Sequence, residues 1–109
     1  MFKIKGEEWD LRFVSPYSSI LKNYDGKYTL GVTIPEWKKI YIANNISNNL
    51  LYHVLCHELT HAEFAARGLF LPEYVEECLA DIIADNSLEV RNLTNAIYNN
   101  LCRCYVSTS

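Results

Sequence analysis

The hydrophobic pattern of this chain changes period once, near residue 46, and that change constrains the fold more than any motif does. Up to that point apolar residues alternate with polar ones, as on half-buried strands. Phe2 and Ile4, then Trp9, Leu11 and Phe13, alternate on either side of Gly6-Glu7, which predicts a hairpin. The stretch KYTLGVTI sets Tyr28, Leu30, Val32 and Ile34 on one face of a half-buried strand. After Pro35, KKIYIA sets Ile40 and Ile42 on one side of another. Between them, SPYSSILKNY offers Ser15 as N-cap and Pro16 at the first position of a short helix.

From residue 47 onward the period is helical. Ser47 or Asn48 can cap a helix that runs to Arg67 and stops at Gly68, with Leu50, Leu51, Val54, Leu55 and Ala62 recurring at helical spacing. Pro72 opens a second helix. Its early turns hold Glu73, Glu76 and Glu77, where negative charge suits the helix dipole, and Val75, Leu79, Ile82 and Ile83 form its apolar stripe. A third helical stretch, roughly 88 to 104, carries Leu88, Leu93, Ile97 and Leu101, either continuous with the second or separate from it. Strands first and helices after indicate an α+β fold rather than an alternating α/β one.

At 109 residues without repeats or a Pro/Gly-rich linker, the chain reads as one domain with one modest core. Its net charge of -3 and lack of any lysine or arginine run argue against a nucleic-acid partner, since phosphates need clustered positive charge. No run approaches the roughly 18 apolar residues that span a bilayer, so no membrane association is expected. MFKIKGEEWD has no apolar h-region, which predicts a protein without a secretory signal. Cys56 and Cys78 fall inside predicted helices, and Cys102 and Cys104 point in near-opposite directions on another. Four reduced thiols in a cytoplasmic protein are expected.

The chemistry concentrates in LLYHVLCHELTHAEFAARG. On a helix, His57 and His61 stand one turn apart on one face, so both rings can reach one ion. Zn²⁺ accepts neutral imidazole nitrogen and, in catalytic sites, keeps one coordination position open. Glu58, one residue on, cannot point at quite the same spot and can instead reach a water on the metal, where peptide hydrolysis needs a general base. The bland alternative is an amphipathic helix whose histidines satisfy local hydrogen bonds.

A third ligand must come from elsewhere. VEECLAD puts Glu77 and Asp81 one turn apart on the second helix, so one carboxylate can complete a His₂Glu site and the other can fix a ligating histidine's tautomer. Glu77 is the first choice for ligand, Glu76 the second and Asp81 the third. Phe64 and Arg67 occupy the positions where an extended motif would carry glycine and histidine. His53 lies a further turn back, too far for one ion to reach all three rings on a straight helix. It is expected to be a neighbour of the site or a surface residue.

With HELTH followed by EECLAD, the chain resembles the zincin metallopeptidases whose third ligand is glutamate. Among them it is most similar to the small ImmA/IrrE-like metallopeptidases common in phages and mobile elements. The resemblance implies a small antiparallel or mixed sheet packed on the HExxH helix, with one or two further helices. It implies that the KKIYIAN strand lies along the cleft and pairs with an extended peptide. It also implies zinc on His57, His61 and Glu77, Glu58 as base, Asp81 orienting a histidine, and a protein or peptide substrate, such as a regulatory protein. Two features depart from the pattern. The short spacing from His61 to Glu77 leaves little wall for substrate pockets, and no downstream histidine is present to stabilise an oxyanion. Tyr74 is the nearest phenol for that task.

Two other readings remain open at this level. One is a zinc staple, disfavoured because structural sites mostly use cysteine and Cys56 points about 100° away from His57. The other is a zinc-binding interaction module without peptidase activity that docks a host or phage protein.

Overall fold

The computed structural model describes residues 2–86 and 88–108, with the side chains of 83–86, 88–89 and 101–108 left undescribed. The order of elements is β1 (Phe2–Ile4), β2 (Glu7–Val14), β3 (Gly31–Ile34), β4 (Lys39–Ala43), α1 (Asn48–Ala66), α2 (Glu73–Asn86) and α3 (Leu88–Thr108). This is an α+β architecture, a mixed N-terminal sheet against a helical C-terminal part.

The sheet runs β1-β2-β4-β3, with β2 and β4 parallel and the other two pairings antiparallel. The β1–β2 hairpin turns on Lys5 and Gly6, whose φ values of 50 and 80 are both positive, as two-residue primed turns require. The reversal therefore sits one residue earlier than the alternation suggests. Phe2 pairs with Trp9, and Ile4 and Trp9 are buried.

The segment after β2 departs from expectation. No helix starts at Ser15. Its hydroxyl accepts the Tyr17 N–H at 3.2 Å and its carbonyl accepts the Ser18 N–H at 2.9 Å, a side-chain-closed turn that competes with helix. A single 3₁₀ turn, Ser19–Leu21, follows with Ser18 as its cap. The KYTLGVTI strand is half as long as its alternation implies. Tyr28 and Leu30 are exposed in a loop, closed by Asn23 accepting from Gly26 N–H and donating to the Lys27 carbonyl.

Register across the sheet aligns Leu11 with Ile40 and Thr33, and Phe13 with Ile42 and Gly31. Ile40 and Ile42 are fully buried beneath α1, so Gly31 and Thr33, rather than Val32 and Ile34, are the residues of β3 that meet the helix.

Helix α1 is the centre of the molecule. Leu51, Val54, Leu55, Leu59 and Ala62 join Ile4, Trp9, Ile40 and Ile42 in the core, and each fully buried Leu or Ile contributes about 1.5–3 kcal/mol. Leu50, counted in the apolar repeat, is exposed. On another side α1 packs on α3, where Val90 and Thr94 are buried and Tyr52 donates to Asn95 Oδ1 at 2.6 Å.

The C-terminus of α1 is a Schellman cap. Gly68, at φ 70, donates to the Ala65 carbonyl at 3.0 Å and Leu69 to that of Phe64 at 2.9 Å. This turns the chain back at once, and the Pro72 carbonyl then accepts the Val75 and Glu76 N–H groups to start α2 beside α1. Ile83, Leu88, Leu101, Cys102 and Cys104 lie outside the described side chains.

Candidate metal centre

His57 and His61 project from the same face of α1 towards α2, and their Nε2 atoms are 3.1 Å apart. Both Nε2 atoms meet one carboxylate, Glu77, with Oε2 at 2.9 Å from His57 and Oε1 at 3.0 Å from His61. The other ring nitrogens face separate acids. His57 Nδ1 is 2.9 Å from Asp81 Oδ1, and His61 Nδ1 is 2.7 Å from Glu76 Oε1.

This pattern selects a tautomer. A carboxylate only accepts, so each Nδ1 carries the proton and donates it, which leaves both Nε2 lone pairs directed at the Glu77 oxygens. Acceptors within hydrogen-bond distance of each other repel unless a cation lies among them. His57, His61 and Glu77 each offer one ligand atom, all within 4.8 Å of one another. An ion with bonds of about 2.1 Å at the tetrahedral angle separates its ligands by about 3.4 Å, within a few tenths of the spacings here. Two imidazoles and a carboxylate suit Zn²⁺. The residues therefore fit a metal ion, and the triad is a potential metal-binding cluster.

Electrostatics point the same way. Burial pulls the His57 pKa down, but Glu58, Glu77 and Asp81 outweigh it and the net shift is upward. Without an ion the cluster attracts protons instead.

Glu58 is buried, with 7% of its surface exposed. Its Oε1 accepts the Thr33 hydroxyl at 2.8 Å, and the same hydroxyl lies 3.0 Å from the Glu58 carbonyl oxygen. Burial raises the Glu58 pKa above the usual carboxylate range, against the opposing effects of the Thr33 hydrogen bond and the two histidines.

The cluster opens into a cleft of about 680 Å³. β3 forms one wall and the loop after α1 another, through Leu69, Phe70 and Leu71. The connection between His61 and Glu77 thus supplies more wall than its length suggests. Tyr74 is 76% exposed and lies outside the cleft lining, whereas His53 is part of that lining.

The KKIYIAN strand does not border the cleft. It is β4, paired on both sides, and β3 is the edge. The Ala43 N–H donates to the Leu30 carbonyl, which makes Gly31 and Ile42 a non-hydrogen-bonded pair. By alternation the main-chain groups of Gly31 and Thr33 point away from β4, and the Gly31 carbonyl accepts from Thr29 Oγ1 at 3.0 Å.

Glu76, expected as a rival ligand, faces His61 Nδ1 instead. Its signal was spacing: Glu76 and Glu77 are neighbours about 100° apart on α2, so they can serve different atoms of the same pair of rings. Thr33 was missed entirely.

No protein-family model matches this chain. No curated protein matches it, and no solved structure does. Among the described residues no helix is long and apolar enough to cross a membrane. The protein thus has an α+β fold of generally zincin-like layout carrying a His57, His61, Glu77 cluster capable of holding a metal ion.

Proposed function

We propose that this chain is a zinc metallopeptidase in which His57, His61 and Glu77 hold the ion and Glu58 is the general base. The observation that carries this reading is the convergence of two Nε2 lone pairs and one carboxylate beside a buried glutamate, within a cleft edged by a strand. When bound, zinc supplies Lewis-acid polarisation of a peptide carbonyl and acidifies water. Asp81 and Glu76 hold the two rings in the Nδ1–H tautomer.

Glu58 accepts a proton from water as the water oxygen bonds to the scissile carbonyl carbon. It then delivers that proton to the amide nitrogen as the C–N bond breaks. An upward-shifted pKa suits a group that must both take and return a proton near neutrality. The outward main-chain groups of Gly31 and Thr33 offer an extended peptide a strand to pair with. The motif-level resemblance to ImmA/IrrE-like metallopeptidases supports the same reading and adds a regulatory protein, met in the cytoplasm, as the substrate class.

Protein purified without chelator is expected to carry one zinc per chain, and His61→Ala is expected to lose it. Glu58→Gln should keep the zinc and lose hydrolysis of a random peptide library. Zinc held by a parent that cuts no peptide would instead favour a zinc-binding interaction module, and Glu58→Gln cutting as fast as the parent would remove Glu58 from its role.

A further inference from the structure

We propose that Thr33 is the positioning residue for the proton-transferring carboxylate, its hydroxyl on the edge strand holding Glu58 in one rotamer above the space left by Gly31. The inference rests on the peptidase reading for its catalytic consequence, and on geometry alone for the contact.

A buried carboxylate needs hydrogen-bond donors, and among the described residues the side-chain hydrogen bond to Glu58 comes from Thr33, on an element 25 residues away. Thr33 stands in a row with Leu11 and Ile40, where the sheet otherwise presents aliphatic side chains to α1. Valine would fill that place equally well as a strand former, so the hydroxyl answers a polar need. With Oε1 engaged by Thr33, Oε2 is left to exchange the proton.

Gly31, two residues earlier on the same face, answers a need for space. A Cβ there would lie 3.0 Å from Val54 Cγ1, 3.1 Å from Glu58 Cγ and 3.3 Å from Glu58 Oε2. Any side chain at 31 would push the carboxylate that Thr33 holds. The two residues whose main chains face outward for a substrate thus also seat the base, so strand pairing and proton transfer share one support.

The rival account is that Thr33 merely ties β3 to α1 through the Glu58 carbonyl oxygen. Kinetics of the zinc-loaded full chain separate the two, with an internally quenched peptide selected from a random library for cleavage by the parent. Thr33→Val should lower kcat by about 10- to 100-fold, with KM and zinc content unchanged, and Thr33→Ser should restore most of the rate. Gly31→Ala should lower kcat in the same sense. A Thr33→Val enzyme with parental kcat, or a Thr33→Ser enzyme as slow as Thr33→Val, overturns the proposal.

A double-mutant cycle in urea unfolding, using Thr33→Val, Glu58→Leu and both together, reads the contact without any activity. Non-additive shifts in the unfolding midpoint are expected, and additive ones overturn the contact. A zinc-loaded parent that cuts nothing overturns the peptidase reading instead, and the cycle still decides whether Thr33 holds Glu58.

Discussion

At His61 one ring nitrogen lies 2.7 Å from Glu76 and the other 3.0 Å from Glu77, so adjacent residues of α2 serve opposite edges of one imidazole. Glu77 is more than half exposed and Glu76 less than a quarter, as fits a ligand at the cleft and a partner behind the ring. Glu76→Ala should therefore weaken zinc binding by about 10- to 100-fold, through loss of ring orientation and basicity. Glu77→Ala should weaken it more, because the proposed third ligand is removed outright. Competition with a chromophoric chelator measures both. Parental affinity in Glu76→Ala would show that its contact with His61 is incidental.

The elements meet correctly because α1 stops where it does. Gly68 in the left-handed region lets two main-chain bonds close the helix, and four residues later Pro72 starts α2 alongside. Gly68→Ala places a Cβ in that conformation at a cost of about 1–2 kcal/mol. Urea unfolding of the zinc-loaded protein should show that loss. Zinc affinity should fall with it, since the same turn sets Glu76, Glu77 and Asp81 against α1. Unchanged stability would mean that the cap is not the stop. At this scale the sequence was legible wherever spacing within one element suffices. His57 and His61, or Glu77 and Asp81, share a face by helical geometry alone. The parallel pairing of β2 with β4 was not legible, because alternation shows which face of a strand is apolar and not which strand lies beside it.

For the whole molecule, the cluster links folding to protons. Glu58 and His57 both have folded pKa values above their ordinary 4.5 and 6.5, so the folded chain binds protons more tightly than the unfolded one. Each contribution is fully present below the ordinary value and is lost as pH rises through the raised folded one. Metal-free protein should therefore lose stability as pH rises above 4.5 and again above 6.5, visible as a falling urea midpoint in the presence of chelator. Glu58→Gln should flatten the lower part of that slope, and saturating zinc should offset the loss by binding only the folded state. A midpoint that rises over this range would contradict the assignment.

The amino-acid order alone determined the α+β class, the extent of α1 with its stop at Gly68, and the helical faces that carry His57, His61, Glu77 and Asp81. These depend on local periodicity and on backbone preferences that act within a few residues. Only the tertiary structure decided that Glu76 serves His61, that β3 rather than β4 borders the cleft, and that Thr33 reaches Glu58. Each of those depends on how separate elements cross and which edge is left unpaired, and such long-range packing leaves no period in the chain.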